Sequence, residues 1–265
     1  MNAKKRRAVL FWSGGKDSAV AYHRLITDPA YRDCQVSTLL TTFTEGYDRV
    51  TGHGVRRSLV EAQARSLGLD LIASYIPKTS SMRQYEDITK AVLRSEQDKG
   101  ITLAAAGDIF VEKQRMALLR RVGLMGCCPL WEKKPPQHAE ELIELGFKAY
   151  VICVDGAVLD ASFVGRTLDR EFLRDLPTGI DPCGENGEFH TFVFDGPIFR
   201  EEIRCKLGRV VHREGFHFCD VLPQSMALRR QGAGKALSRD PIAAQARSRA
   251  YDDERVNVPA SKETS

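Results

Sequence analysis

The sequence lacks any apolar run approaching the roughly 20 residues that are needed to span a bilayer. It also lacks the apolar core of a secretory leader, because the apolar segment after the basic N-terminus covers only Ala8 to Trp12. Polar Ser-Gly-Gly-Lys follows at once. These two absences predict a cytoplasmic protein with no membrane partner.

Patterned cysteine sites are absent as well. None of the seven cysteines forms a Cys-x-x-Cys pair, which argues against a structural zinc and against a thioredoxin-like redox pair. An odd number of unpatterned cysteines, several of them inside apolar runs, is typical of a reducing compartment. The cysteines therefore predict neither a disulfide framework nor a zinc site.

The sequence also has no basic stripe of the kind that binds nucleic acid. Its formal net charge of +4 is carried by the two ends, which are the basic run from Lys4 to Arg7 and the segment 224–265. That segment holds eight Lys/Arg against five Asp/Glu, so the body of the chain is slightly acidic. We expect no nucleic-acid partner, and the polar composition of 224–265 predicts a disordered tail.

What the sequence does contain is concentrated between Val9 and Ser18, which read Val-Leu-Phe-Trp-Ser-Gly-Gly-Lys-Asp-Ser. A short apolar strand here enters a glycine-bearing turn, and apolar residues at helical spacing follow. Glycine permits close backbone approach, and the N–H groups of a helix's first turn attract anions. The turn therefore predicts a phosphate site formed by Ser13, Gly14, Gly15, Lys16, Asp17 and Ser18.

Predicted strands at 35–43, 69–76 and 101–106 alternate with predicted helices, which indicates an α/β fold with a parallel sheet. In such sheets, ligands bind beyond the carboxyl ends of the strands. We therefore expect Thr41 and Thr42 to line a nucleoside pocket. His53, beside two glycines before the next helix, is a further candidate for this pocket.

A second group of candidates follows the strand 101–106. Asp108 lies just past the end of this strand, where a carboxylate can hold a magnesium ion, a ribose hydroxyl or a substrate group. The next predicted helix, from about Glu112 to Val122, carries Gln114 and Arg115 in its first turns. These two side chains are candidate substrate contacts, with an ordinary charged helix face as the alternative.

A third group lies in the loop 182–191, directly before a Phe-Val-Phe strand. Such a loop can gather carboxylates for a magnesium ion, an ammonia molecule or a cationic group, and an ordinary acidic turn is the alternative. Its candidate residues are Gly184, Glu185, Asn186, Gly187, Glu188, His190 and Thr191. We place a nucleotide-binding domain at 1–125, a smaller α/β substrate-binding domain at 126–223 and the tail at 224–265.

The turn Ser13–Ser18 resembles the loop of the PP-loop ATP pyrophosphatases, which split ATP between its α and β phosphates. With Gly107-Asp108, Gln114-Arg115 and the Gly184–Thr191 block, residues 8–200 resemble the diphthine–ammonia ligase family. The resemblance implies a Rossmann-like nucleotide-binding fold, ATP and Mg²⁺. It also implies a reaction in which ATP adenylates the diphthine carboxylate of elongation factor 2 and ammonia completes the amide.

The resemblance implies particular roles for these residues. The glycines and serines of the turn would hold the leaving pyrophosphate, Lys16 would offset its charge, and Asp17 would orient the loop or the metal. Asp108 is a further catalytic candidate, and Glu185 or Glu188 would position ammonia and accept its proton.

The sequence also departs from the pattern of archaeal and eukaryotic members, because Asn186 replaces a glycine and His190 replaces a glutamate. The acceptor therefore stays open between a modified histidine on an elongation factor and a small-molecule carboxylate. Another PP-loop enzyme and a non-catalytic ATP- or AMP-binding module are the alternative functions. The oligomeric state is also open.

Overall fold

The computed structural model describes residues 5–109, 112–131 and 134–224, and nearly all of the predicted tail lies outside them. The first half contains β1 (Arg6–Phe11), α1 (Lys16–Thr27), β2 (Cys34–Thr44), β3 (Arg49–Val50), α2 (Arg57–Leu67), β4 (Asp70–Ile76), α3 (Met82–Asp98), β5 (Leu103–Ala105), α4 (Glu112–Val122) and β6 (Met125–Cys127). The second half contains α5 (Pro135–Glu144), β7 (Lys148–Asp155), α6 (Arg170–Asp175), β8 (Phe189–Asp195), β9 (Cys205–Arg213) and β10 (Phe216–Pro223).

The first sheet is centred on β1, which pairs in parallel with β2 on one side and with β5 on the other. β4 and β6 extend the parallel arrangement outward, and the short β3 runs antiparallel to the end of β2. Ala8, Val9 and Leu10 of β1 are fully buried, as expected of a central strand covered on both faces. The predicted α/β fold with a parallel sheet is therefore confirmed.

Local signals in the sequence explain where the helices begin and end. The Ser81 hydroxyl accepts from the Gln84 backbone N–H while the Gln84 side chain accepts from Ser81 N, which forms a capping box at the start of α3. Gly68 ends α2 with a φ of 71°, a left-handed conformation that glycine adopts without strain. Pro135 and Pro136 begin α5, where a missing N–H costs no hydrogen bond.

The second sheet is antiparallel, with the strand order β8-β7-β10-β9. It contacts the first sheet at the predicted phosphate turn, because Val193 N on β8 donates to the carbonyl oxygen of Gly14 at 2.9 Å. A continuous cluster of buried apolar side chains also extends from Leu10 on β1 to Phe192 on β8. The predicted domain limits stay a prediction, and β6 lies across the proposed boundary while pairing with β5.

The structure holds no helix, within the ranges that it describes, that is both long enough and apolar enough to cross a membrane.

Candidate active site

The turn between β1 and α1 has the geometry of an anion site. Gly14 adopts a φ of +81°, and Gly15 is extended and precedes the first residue of α1. The N–H groups of a helix's first turn have no carbonyl partner within the helix, and the helix dipole is positive at this end. The Ser13 and Ser18 hydroxyl oxygens lie 3.5 Å apart beside these groups. The turn therefore combines backbone N–H groups, hydroxyls and the Lys16 side chain at one place.

Gln63 on α2 holds this turn in position, and sequence reasoning missed it. Its amide nitrogen donates to the carbonyl oxygens of Gly14 at 3.1 Å and Val193 at 2.7 Å, while its Oε1 accepts from Trp12 Nε1 at 2.9 Å. The side chain is fully buried. A Cβ on Gly14 would lie 2.8 Å from Gln63 Oε1, so this close approach requires glycine. The only signal in the sequence is an amide among the apolar residues of α2.

The turn Ser13–Ser18 and the loop 182–191 are in contact although they are far apart in the chain. Lys16 N donates to Thr191 Oγ1 at 3.0 Å, across a separation of 175 residues. Lys16 Nζ lies 3.2 Å from Glu185 Oε1. Thr191 therefore fixes the start of α1, and Glu185 faces the charged end of Lys16.

Lys16 is the centre of a buried charge cluster. Its Nζ lies 2.7 Å from Asp17 Oδ2, and its side chain is 6% exposed. Burial by itself lowers the pKa of Lys16, but the charges of Asp17 and Glu185 outweigh it and raise that pKa above its usual value. Burial raises the pKa of Asp17, but Lys16 and His138 outweigh it and hold that pKa well below its usual range.

The pKa of Glu185 is shifted upward, in the opposite direction to the pKa of Asp17. Burial and the neighbouring charge of Asp17 raise the pKa of Glu185 to about 7, although Lys16 opposes this shift. A carboxyl group with this pKa exchanges a proton near neutral pH, which suits a general base. Of the two carboxylates beside Lys16, Asp17 therefore stays ionised at neutral pH, whereas Glu185 titrates there.

His138 on α5 is a second residue that sequence reasoning missed. Its Nε2 lies 3.0 Å from Asp17 Oδ1, and its side chain is fully buried. Burial lowers the pKa of His138, but hydrogen bonding to Asp17 and the nearby Glu141 raise it above its ordinary value. The sequence offers only a histidine on the same face as Ala139 and Leu142, which is also a common pattern for a core residue.

The structure pairs His53 with His190, two candidates that the sequence did not connect. Their ring centroids lie 4.6 Å apart. Burial lowers the pKa of His53 to about 3, and burial together with the charge of Lys16 lowers the pKa of His190 to about 4. Both imidazoles are therefore uncharged at neutral pH.

The candidates that follow β5, which include Asp108 and Arg115, lie beside the turn. Arg115 Nε lies 2.8 Å from Asp108 Oδ2, and the guanidinium lies over the Phe11 ring at 4.5 Å. A Cβ on Gly107 would lie 2.7 Å from the Asp17 backbone, so the end of β5 packs directly on α1. Gln114 belongs to α4, but its side chain lies outside the described part of the structure.

Three further candidates, Thr41, Thr42 and Glu188, take part in hydrogen bonds with backbone groups near the site. The Thr41 hydroxyl donates to the carbonyl oxygen of Trp12 at 2.6 Å and is buried, while Thr42 is half-buried and its carbonyl oxygen accepts from Thr51 N. Glu188 accepts from Asn186 N and Asn186 Nδ2, each at 2.9 Å, and thereby closes its own loop. Positive φ values at Gly184 (67°) and Gly187 (88°) shape the same loop. Glu185, rather than Glu188, is the glutamate of this loop that contacts Lys16.

A parallel α/β sheet whose central strand enters a helix through Ser-Gly-Gly-Lys-Asp-Ser defines a nucleotide-binding protein of the PP-loop class. Residues 6–125 match the family described as the diphthamide synthase N-terminal domain, and residues 134–224 match the diphthamide synthase C-terminal domain. The chain therefore belongs to the diphthamide synthase family.

Curated relatives carry one name, diphthine–ammonia ligase. The human protein is 26% identical over 239 residues, which cover 81% of this chain and 88% of the human chain. The zebrafish protein is 25% identical over 222 residues, which cover 74% and 85%. The match to the bovine protein is 27% identical over 140 residues and spans about half of each chain, 51% and 52%.

A solved structure titled as a predicted subunit of a tRNA methyltransferase from Methanocaldococcus jannaschii is similar with a TM-score of 0.37 and 17% identity. The alignment covers 56% of this chain and 78% of that one. A likeness of this size carries no argument about function.

Proposed function

We propose that this chain is an ATP-dependent ligase that adenylates a carboxylate, releases pyrophosphate and converts the adenylate to an amide with ammonia. The observation that carries the proposal is the meeting of the phosphate turn with Glu185 at Lys16 Nζ, 3.2 Å from the carboxylate. A phosphate site and a proton acceptor are thus adjacent. The names of the curated relatives, diphthine–ammonia ligases, support the same reaction class.

The residues at the turn are suited to hold the phosphates of a nucleoside triphosphate together with its magnesium ion. No group of three or more His, Cys, Asp or Glu within 5–109, 112–131 and 134–224 is arranged to hold a metal ion by itself. Mg²⁺ in phosphate-transfer sites is usually held by one or two carboxylates together with substrate phosphates, and Asp17 is a carboxylate beside the turn. When bound there, Mg²⁺ supplies positive charge to the phosphate oxygens.

In the first step, an oxygen of the acceptor carboxylate attacks the α-phosphorus of ATP. The bond from this phosphorus to the oxygen that bridges the α and β phosphates breaks, and pyrophosphate leaves with the bonding electrons. Lys16 and the N–H groups of the turn stabilise the charge that develops on the leaving group. His138 and Lys16 keep Asp17 oriented through contacts of 3.0 and 2.7 Å.

In the second step, ammonia attacks the carbonyl carbon of the acyl adenylate. The carbon–oxygen bond to the phosphate breaks, AMP leaves, and the nitrogen loses a proton to Glu185. The raised pKa of Glu185, about 7, makes this carboxylate a matched acceptor near neutral pH. Glu188 has a structural role in this scheme because its oxygens already accept hydrogen bonds from its own loop.

The direct test is to identify the products formed from ATP, Mg²⁺ and ammonium with a panel of carboxylates. We expect AMP and pyrophosphate, with one amide formed for each AMP. ADP and phosphate would assign the turn to a different chemistry. Bound AMP without turnover on any carboxylate would favour a non-catalytic nucleotide-binding module.

A further prediction concerns the pH dependence of the second step. Because Glu185 accepts a proton only when ionised, the rate of amide formation should rise with pH through about 7 and then level off. Glu185→Gln should lose this inflection and slow amide formation by about 10²-fold. The rate should be measured on both sides of pH 7, with the concentration of free NH₃ held constant.

Glu188→Gln is the matched control because it changes the same type of residue in the same loop. It should lower thermal stability but keep the inflection near pH 7. Pyrophosphate exchange, which reports the first step, should be nearly unchanged in Glu185→Gln. An unaltered pH profile in Glu185→Gln would remove Glu185 as the proton acceptor.

A further inference from the structure

The strand β9 forms an open edge of the antiparallel sheet. The sheet has the order β8-β7-β10-β9, so β9 pairs with β10 on one side and with no other strand among the described residues. The opposite edge, β8, is used inside the molecule, because Val193 N donates to Gly14 O at the phosphate turn. Every second N–H and C=O of an edge strand points away from its neighbour and is free to pair with an added strand.

Apolar side chains are exposed along this edge. Val210 is 50% exposed, Leu207 39% and Val211 37%, and most of the remaining residues of β9 are exposed as well. Exposed aliphatic side chains on a strand with free main-chain groups favour pairing with another chain. β9 therefore has both the apolar surface and the hydrogen-bonding groups of a strand-addition site.

A bulge limits the regular part of the edge to its second half. Gly208 and Arg209 lie opposite a single residue of β10, and the pairing is regular from Val210 to Arg213. Side chains in this part alternate between the two faces of the sheet. Arg209 and Val211 line one cleft, between the sheet and the segment before α2, so they share a face, and Val210 lies on the other.

The charges of the edge are positive. Residues 203–213 contain no Asp or Glu. Lys206 and Arg209 are exposed and form no ion pair with any residue that the structure describes. A second copy of this chain would place the same cations on the adjoining strand, and like charges opposite each other disfavour strand pairing. The edge is therefore complementary to a strand that carries carboxylates.

We propose that β9 is a docking surface for an extended, acidic segment of a partner protein, which adds to the antiparallel sheet beside Val210–Arg213. Main-chain groups of the segment pair with the free edge, as in other complexes formed by strand addition. Carboxylates at every second position of the segment contact Arg209 on one face of the sheet. The apolar side chains between them pack against Val210 on the other face. This surface is separate from the phosphate turn, so the segment binds with or without nucleotide.

The test compares short peptides that differ in charge or in main-chain donors. The first reads Glu-Val-Glu-Thr-Glu-Val-Glu, and the second has lysine in place of each glutamate. Two further peptides carry the first sequence with N-methyl groups, either on all glutamates or on all other residues. Binding to the full chain, without nucleotide, is measured by fluorescence anisotropy.

The glutamate peptide should bind about tenfold more tightly than the lysine peptide. Only one of the two N-methylated peptides should lose binding, because successive N–H groups of a strand point to opposite sides and only one set faces β9. Equal binding of the two charge types would overturn the proposal. An equal loss in both N-methylated peptides, or no loss in either, would exclude strand addition.

Arg209→Ala should weaken binding of the glutamate peptide about fivefold, and Arg209→Lys should restore most of the loss. Arg174→Ala is the matched control, because Arg174 is an exposed arginine on α6, away from the edge, and it should leave the affinity unchanged. An affinity that Arg209→Ala does not alter contradicts the proposal.

Other occupants of the edge would give distinct results, each of which overturns an acidic protein partner. A dimer that dissociates in Arg209→Glu would mean that a second copy covers β9. Peptide binding that appears only after Asp252, Asp253 and Glu254 are changed to their amides would mean that the chain's own acidic segment occupies the edge. A single-stranded RNA that binds more tightly than the glutamate peptide, and loses affinity in Arg209→Ala, would mark a nucleic-acid surface.

Discussion

Replacing Lys16 with methionine should lower the rate of AMP formation by about 10³-fold, because one preorganised charge at a leaving group is worth a factor of this order. Methionine keeps a long flexible side chain but removes the charge that offsets the departing pyrophosphate. The measurement is the release of pyrophosphate at saturating ATP. Lys16→Arg keeps the charge and should retain more activity than Lys16→Met.

Lys16→Met also leaves two carboxylates, Asp17 and Glu185, without their buried cation. Asp17 has a lowered pKa in the folded protein, so its ion pair stabilises the fold at pH values above the ordinary pKa of an aspartate. This contribution is lost as the pH falls toward the lowered pKa. The stability deficit of Lys16→Met should therefore be greatest at neutral pH and shrink in acid.

Thermal unfolding separates loss of chemistry from loss of fold. Lys148→Met is the matched control, since Lys148 forms an ion pair with Asp195 in which both side chains keep solvent contact, at 58% and 29% exposure. It should change neither pyrophosphate release nor stability appreciably. Folded Lys16→Met that retains wild-type turnover would exclude the turn from the mechanism.

Replacing Gln63 with leucine should lower the free energy of unfolding by about 3 kcal/mol and the midpoint of thermal unfolding by about 10 °C. The substitution leaves the Trp12 indole N–H without its acceptor and removes a donor from the carbonyl oxygens of Gly14 and Val193. Gly14 O keeps a hydrogen bond from Val193 N, which limits the loss. Urea unfolding, followed by tryptophan fluorescence, measures the change.

Gln97→Leu is the matched control for this substitution. Gln97 on α3 donates to the carbonyl oxygen of Gly123 at 3.3 Å in an exposed position, where water replaces the lost contact. It should cost well under about 1 kcal/mol. A loss below that size in Gln63→Leu would show that the amide does not hold the turn. Pyrophosphate release should fall with Gln63→Leu because the backbone of Gly14 is no longer fixed.

Much of the fold could be predicted because its signals are local. The apolar strand before Ser13 became the central strand β1, and β2 and β4 begin and end within one residue of the predicted strands 35–43 and 69–76. Gly68 and the capping box at Ser81, which are local features as well, end α2 and begin α3. These features depend on apolar spacing and on residues within four positions of each other. The parallel sheet followed from the alternation of strands and helices.

Less of the candidate site could be predicted, because its partners come from distant elements. Glu185 and Glu188 are equivalent in the sequence, yet one faces Lys16 and the other closes its own loop. His138 and Gln63 stand on helix faces where polar residues have no distinguishing pattern. Their roles depend on the placement of α5 and α2 against the turn.

The sequence by itself therefore determined the class of fold and the family, and it predicted a phosphate site at the Ser13–Ser18 turn, because each of these depends on short contiguous patterns. The tertiary structure alone decided which carboxylate has a pKa raised to about 7 and which histidine contacts Asp17. The physical reason is that burial and charge at these groups arise only when the parallel and antiparallel sheets pack together. Residues as far apart as Lys16 and Glu185 then lie in one buried cluster, in which desolvation and neighbouring charges shift the pKa of each side chain.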